Sequence, residues 1–192
     1  MQLTQIVTIG DIGVGKTALI NRFHDNVYRE KIPPTFGVDF KTKECSIENE
    51  SYKMQLWDFS GDISYRSMNK TFYSRANGII LVFDVTNNKS FSSLEERLIE
   101  IKQFILPETK LLICANKSDV DKKYWDVDIK TVNKFCLDNS IDLLETSAAT
   151  GQNVTDLFYY FICKTESQIS DISNRFFNVH NDNGTSINKD VT

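Results

Sequence analysis

The chain has 192 residues, 41% of them hydrophobic with 13 phenylalanines, enough for one domain with a sizeable core. A net charge of −4 without a dense Lys/Arg stripe leaves no footprint for nucleic acid or for an anionic membrane surface, so neither is an expected partner. Cys45, Cys114, Cys136 and Cys163 are widely spaced, and His24 and His180 form no ligand cluster, which argues against a disulfide framework or a zinc site.

An apolar run at Leu3–Ile9 reads as the first strand. It leads into Gly10-Asp11-Ile12-Gly13-Val14-Gly15-Lys16-Thr17, which fits the pattern G-x-x-x-x-G-K-[ST]. Glycines let such a loop bring backbone N–H groups, here those of Gly13, Val14, Gly15, Lys16, Thr17 and Ala18, close to phosphate oxygens. Lys16 adds a point charge for the outer phosphates, and the Thr17 hydroxyl can ligate Mg²⁺. Leu19, Ile20 and Phe23 then recur at helical spacing within Val14–Asn26, so the loop joins a strand to a helix whose N-terminus favours an anion.

Phe40–Ile47 and Tyr52–Asp58 read as strands joined by a short polar turn, Asn49-Glu50-Ser51, which predicts an antiparallel hairpin at one sheet edge. The second of them ends in Trp57-Asp58-Phe59-Ser60-Gly61. There Asp58 can hold Mg²⁺ through water, while the Gly61 N–H can approach a terminal phosphate. A fourth strand, Ile79–Asp84, precedes a helical face of Phe91, Leu94, Leu98, Ile101, Phe104 and Ile105.

The fifth strand, Leu111–Asn116, runs into Asn116-Lys117-Ser118-Asp119. The Asp119 carboxylate can accept two parallel hydrogen bonds from the N1–H and exocyclic amine of guanine, a donor pair that adenine lacks on that edge. Lys117 can lay its stem along the base, and Asn116 can tie this loop to the phosphate loop. Val132, Phe135 and Cys136 mark another helix. The sixth strand, Asp142–Glu145, ends in Glu145-Thr146-Ser147-Ala148, where Ser147 and Ala148 complete the nucleotide set, with the Ala148 N–H for the guanine oxygen. A last helical face carries Val154, Leu157, Phe158, Phe161 and Ile162, and from about Ser170 the chain turns Asn/Asp/Ser-rich and reads as a flexible tail.

Alternating strands and helices predict an α/β fold with a six-stranded, mostly parallel sheet, one antiparallel edge strand and helices on both faces. Ligands of such sheets bind outside the carboxyl ends of the strands, which puts the segments Gly10–Thr17, Asp58–Asp62, Asn116–Asp119 and Thr146–Ala148 on one rim. There is no signal-peptide pattern, and the longest apolar stretch, Gly78 to Phe83, is too short to span a bilayer, so a cytoplasmic chain is expected; a monomer is expected as well.

With these motifs in order, the chain resembles a small GTPase of the Ras superfamily, a P-loop NTPase small G domain, and most closely the Rab branch. The resemblance covers roughly residues 1–168, with the domain expected over 1–169 and the tail over 170–192. Rab-like stretches are Phe36-Gly37-Val38-Asp39-Phe40, Lys53-Met54-Gln55-Leu56-Trp57, Phe72-Tyr73-Ser74-Arg75-Ala76 and Leu81-Val82-Phe83-Asp84-Val85-Thr86. It implies a GTP/GDP switch with Mg²⁺, in which Lys16, Thr35, Gly61 and residue 62 serve hydrolysis, Thr17, Thr35 and Asp58 serve the metal, and Tyr28 packs by the guanine. It further implies release of the loop around Thr35 and of the segment from Gly61 to about Arg75 when the terminal phosphate is lost. Effector proteins would read that state on Phe40, Trp57 and Phe72, and an exchange factor and an activating protein would regulate it.

The sequence departs from the family pattern at several places. Rab proteins continue the third-strand motif as W-D-T-A-G-Q, and Asp62 stands where that glutamine orients the attacking water. A carboxylate lacks the amide donor, is shorter, and brings negative charge toward an anionic phosphate. Ile12 replaces a smaller residue and crowds the space of an incoming arginine finger. Both changes predict slow hydrolysis and a weak response to an ordinary activating protein. Phe59, Ser60, Ile63 and Ser64 are also atypical, and Ala149 stands where lysine is frequent.

No cysteine follows Cys163, so a prenyl anchor at the end of the chain is not expected unless the sequence is truncated. Peripheral placement on endomembranes then requires a lipidated tail or a further domain. Two alternatives stay open at this point: a scaffold that holds nucleotide with little or no turnover, and a P-loop ATPase or kinase, against which Asn116–Asp119 argues.

Overall fold

The computed structural model describes residues 1–47 and 50–163, without the side chains of residues 66–69. Six strands, β1 (Gln2–Ile9), β2 (Val38–Ile47), β3 (Glu50–Phe59), β4 (Gly78–Asp84), β5 (Lys110–Asn116) and β6 (Asp142–Thr146), form one sheet in the order β2-β3-β1-β4-β5-β6. Only the β2–β3 pair is antiparallel; the other four pairings are parallel. Among the described residues, five α-helices cover the sheet: α1 (Lys16–Asp25), α2 (Arg66–Tyr73), α3 (Asn88–Ile101), α4 (Ile129–Asn139) and α5 (Val154–Tyr159).

Side-chain alternation sorts the core into two layers. Ile80 and Val82 of β4 point to one face, where α1 and α5 supply Leu19, Ile20, Phe23, Leu157 and Phe158. Ile79, Leu81 and Phe83 point to the other, where α3 and α4 supply Leu94, Leu98, Ile101, Val132 and Cys136. Every residue of β4 is buried, as befits a central parallel strand, whereas no residue of edge strand β2 is buried. Phe23 stacks on Phe158 with ring centroids 4.4 Å apart, joining α1 to α5.

Several boundaries differ from the sequence reading. α1 begins at Lys16 instead of Val14, because Gly13 and Gly15 take φ values of 80° and 102° that no helix accommodates. Glu50 and Ser51, expected in the turn, already belong to β3 opposite Ile47 and Ser46, while Asn49 lies outside the described residues. The helical faces were expected to include Phe104 and Ile105 after α3 and Phe161 and Ile162 after α5. Regular helix stops at Ile101 and Tyr159, and the chain continues in tighter turns such as Phe104 N–H to Ile101 O and Ile162 N–H to Tyr159 O. Those side chains still pack on the core. The predicted tail from Ser170 lies outside the described residues.

Parallel pairing puts the carboxyl ends of β1, β3, β4, β5 and β6 on one rim. β2 runs the other way, so its first residue, Val38, lies opposite Phe59 and the segment ending at Gly37 joins the same rim. Among the described residues no helix is long and apolar enough to cross a membrane.

Candidate nucleotide site

A cleft of about 510 Å³ opens at this rim, within the range of about 300–1,000 Å³ for small-molecule sites. The phosphate loop, Tyr28, the stretch from Pro33 to Phe36, Ser60 to Asp62, Asn116, Lys117 and Asp119 contribute to its walls. Of the residues singled out in the sequence, Gly13, Gly15, Lys16, Thr17, Ala18, Tyr28, Thr35, Gly61, Asp62, Asn116, Lys117, Asp119 and Ala148 line it. Val14, Asp58 and Ser147 are buried and do not, and Phe40, Trp57 and Phe72 lie elsewhere.

One end is built for phosphate. Gly15 at the N-cap of α1 offers no side-chain cap, so the first N–H groups of the helix are left for an anion, whereas α3 and α4 are capped by Asn87 and Asp128. A side chain at Gly15 would be strained at φ 102° and would displace Asn116, since a Cβ there would sit 2.3 Å from the Asn116 amide nitrogen. The Lys16 ammonium donates to the Gly10 and Asp11 carbonyls at 3.1 and 2.9 Å. Burial pulls its pKa down to about 8, opposed by the Asp58 carboxylate. A phosphate beside Lys16 would favour the charged form again.

Beside Lys16 three oxygens converge. Thr17 Oγ1 donates to Asp58 Oδ2 at 2.5 Å and lies 2.9 Å from Thr35 Oγ1, which donates to the same Asp58 oxygen at 3.3 Å. Asp58 Oδ1 is buried with no hydrogen-bond partner, and burial raises the pKa of this carboxyl against the pull of the Thr17 hydroxyl. An all-oxygen set with an orphaned buried carboxylate oxygen fits a hard divalent cation of the Mg²⁺ type.

The other end presents polar groups held by their neighbours. Asn116, 1% exposed, donates from Nδ2 to the Val14 carbonyl at 2.8 Å, and its Oδ1 accepts from Thr146 Oγ1 and the Ala148 N–H at 3.3 Å each. One side chain thus joins three loops. Ser147 Oγ donates to Asp119 Oδ1 at 2.6 Å and fixes the carboxylate. Lys117, at φ 68°, sends its ammonium to Asp84 Oδ2 at 2.5 Å.

Asp62 has an additional local task. Its Oδ1 accepts from the Ser64 N–H at 2.9 Å and the Ser64 hydroxyl at 2.8 Å, capping the turn at Ile63–Tyr65. The Ser64 N–H holds its pKa below the usual carboxylate value, so the charge persists at neutral pH. Ile12, 59% exposed, projects from the phosphate loop across the same cleft mouth.

Several residues were not singled out by sequence reasoning. Arg97 of α3, 6% exposed, places Nη2 2.6 Å from Asp11 Oδ1 and 3.5 Å from the Gly61 carbonyl, while Ser93 Oγ donates to Asp11 Oδ2 at 2.9 Å. Arg22 of α1 donates to the Ala148 and Ala149 carbonyls at 2.8 and 2.6 Å and lies 5.9 Å from the Tyr28 ring centre. Asp84 orients Lys117. The available signal for Arg97 was a cation on the otherwise apolar face of Leu94, Leu98 and Ile101.

Outside the cleft, Phe40 stacks on its cross-strand neighbour Trp57 with centroids 5.0 Å apart, and Trp57 meets Phe72 at 4.9 Å. Phe40 is 54% exposed, whereas Trp57 and Phe72 pack their inner edges on the core. The three rings form one aromatic ladder running from the sheet edge to α2.

A six-stranded sheet in this order, with a strand–glycine loop–helix cradle at its rim, defines a Ras-like small G domain. The chain belongs to the Ras family, whose model matches residues 5–167. It is 39% identical over 157 residues to the GTP-binding protein ypt1 of Schizosaccharomyces pombe, an alignment spanning 81% of this chain and 76% of that protein. The chain is therefore a Rab-type member of the Ras superfamily.

Proposed function

We propose that this protein is a guanine-nucleotide switch that holds GTP or GDP with Mg²⁺, hydrolyses GTP slowly, and recruits effector proteins in vesicle traffic while GTP is bound. The observation that carries the reading is one cleft lined by Lys16 and Thr17 at one end, with Asp58 buried behind them, and by Asp119 and Ala148 at the other, with Ser147 buried behind them. Lys16 and the uncapped start of α1 bind the phosphates, and Asp119 accepts from the base edge. Thr17, Thr35 and, through water, Asp58 hold Mg²⁺, which when bound offsets negative charge on the outer phosphates. Thr35 is the member that lies on the loop before β2, so its engagement couples that loop to the terminal phosphate.

Slow hydrolysis follows from two side chains. Asp62 keeps its negative charge and spends one carboxylate oxygen on Ser64, so it neither donates to an attacking water nor welcomes further anionic charge. Ile12 occupies the approach of a cation supplied by an activating protein. The exposed end of the aromatic ladder, at Phe40, is the face we assign to effectors, with exchange and activating proteins acting on the cleft loops. We assign the domain to residues 1–169 and a polar tail to 170–192, with a cytoplasmic protein, monomeric on its own, that reaches endomembranes peripherally only through a lipidated tail or a further domain.

Mass spectrometry of the denatured, purified protein tests the reading: it is expected to release GDP or GTP in near-stoichiometric amount. A protein that arrives empty and fails to bind added GTP overturns it. Stable GTP in the preparation with no turnover would instead favour the scaffold reading, which the capped state of Asp62 supports.

A further inference from the structure

We propose that Arg97 is a positioning residue that locks the phosphate loop to the segment after β3, and that its contact with Gly61 is the part of the lock that answers to the terminal phosphate. The inference rests on the nucleotide-switch reading above.

Arg97 lies three residues after Leu94 and four before Ile101, on the face α3 turns to the core. A buried cation there needs partners, and its Nη2 reaches two different loops. The Asp11 contact is short, 2.6 Å, charge-assisted, and backed from the same helix by Ser93, one turn earlier, on the other carboxylate oxygen. The Gly61 contact is long, 3.5 Å, and accepts on an uncharged carbonyl. One contact is built to stay and the other to break.

Gly61 is placed to transmit such a change. A Cβ on it would lie 2.4 Å from the Ile12 nitrogen and 2.5 Å from the Asp11 carbonyl carbon, so its backbone rests directly on the phosphate loop. Its carbonyl belongs to the peptide that begins Asp62, and Arg97 therefore helps set the direction in which residue 62 leaves. Arg97 Nε is buried without a partner, which leaves the guanidinium a spare donor with which to follow a shifted carbonyl. A ligand oxygen that holds Gly61 from the cleft side would keep this lock closed; without it only the Asp11 half persists. Arg97 thereby favours the triphosphate over the diphosphate.

The test compares affinities for GDP and for the β,γ-imido analogue of GTP in the wild-type, Arg97→Lys and Ser93→Ala proteins. Lysine keeps the charge for Asp11 but cannot fork to both acceptors. Arg97→Lys is expected to keep GDP affinity within about twofold and to lower the triphosphate preference about fivefold, whereas Ser93→Ala leaves that preference unchanged. Equal losses for both nucleotides in Arg97→Lys, or the same loss of preference in Ser93→Ala, overturn the inference.

A second measurement needs no variant. The nitrogen–proton NMR correlation of Arg97 Nε in the wild-type protein is expected to differ between the two nucleotide states, and coincident signals overturn the proposal even if Arg97→Lys does not fold. A wild-type protein that binds neither nucleotide overturns the switch reading as well, which separates the two failures.

Discussion

Asp62 shows how one residue can serve a turn and burden a site. Its carboxylate caps the turn at Ile63–Tyr65 through Ser64, and its charge faces a cleft designed for anions. Two variants separate these roles. Asp62→Asn keeps the capping oxygen and removes the charge, while Asp62→Gln adds reach and an amide donor but strains the short cap. Single-turnover GTP hydrolysis is expected to rise about tenfold in Asp62→Gln and less in Asp62→Asn, since one positioned interaction in a transition state is worth about 1.4 kcal/mol or more. Wild-type hydrolysis as fast as Asp62→Gln would remove this account. Asn116 is the opposite case, because its role was written in the sequence and its three partners are all internal. Asn116→Ala leaves the Val14 carbonyl and Ala148 N–H without it, and is expected to cost about 1–3 kcal/mol of stability in urea unfolding and to speed nucleotide release.

The aromatic ladder separates surface from core within neighbouring strands. Phe40→Ala removes a half-exposed ring stacked on Trp57, an interaction of about 0.5–1.5 kcal/mol, while Phe59→Ala opens the core and is expected to cost about 3–5 kcal/mol. Comparable losses in urea unfolding would place Phe40 in the core and remove it as a docking surface. The elements themselves were legible to different degrees. Parallel strands such as β4 and β5 announce themselves as short apolar runs, and the phosphate loop and the Asn116–Asp119 loop are contiguous motifs whose chemistry is local. α2 was missed for its shortness: its apolar residues, Met68, Phe72 and Tyr73, span barely two turns after a polar start at Arg66 and Ser67, too few to stand out as a helical face. Arg97 and Arg22 stayed hidden because their partners are 86 and 126 residues away, and nothing in a linear pattern marks which cation will turn inward.

For the molecule as a whole, the buried thiols report the integrity of the sheet. Burial pushes Cys114 and Cys136 up to about 12 from an ordinary 9.0, so both stay protonated in the fold at any pH where it survives. A raised thiol pKa stabilises the fold fully below pH 9.0, and that contribution is lost as pH climbs toward about 12, because the unfolded chain ionises first. Alkylation at pH 8 is expected to modify half-buried Cys45 slowly and to reach Cys114 and Cys136 only at the rate of unfolding. Rapid labelling of Cys114 in the native protein would contradict the packing of β5 against β6. Bound nucleotide, which favours the folded state by mass action, is expected to slow that labelling further.

The ladder pairings and the tie of Asn116 to Val14 also carry a history. β1 precedes its partners, pairing with residues 52–58 and 78–81; the loop at its end is braced by a side chain 102 residues later, and the helix after the loop is clasped through Arg22 to Ala148, 126 residues away. A nascent chain that has already exposed the whole glycine loop therefore still lacks the walls around it. The hairpin of β2 and β3 has local partners and can form early, but loop closure over such separations delays the rest. The cleft is therefore walled on its far side only after the segment near Ala149 has emerged and docked against Arg22, which makes the site a late product of folding although its loop is an early product of synthesis.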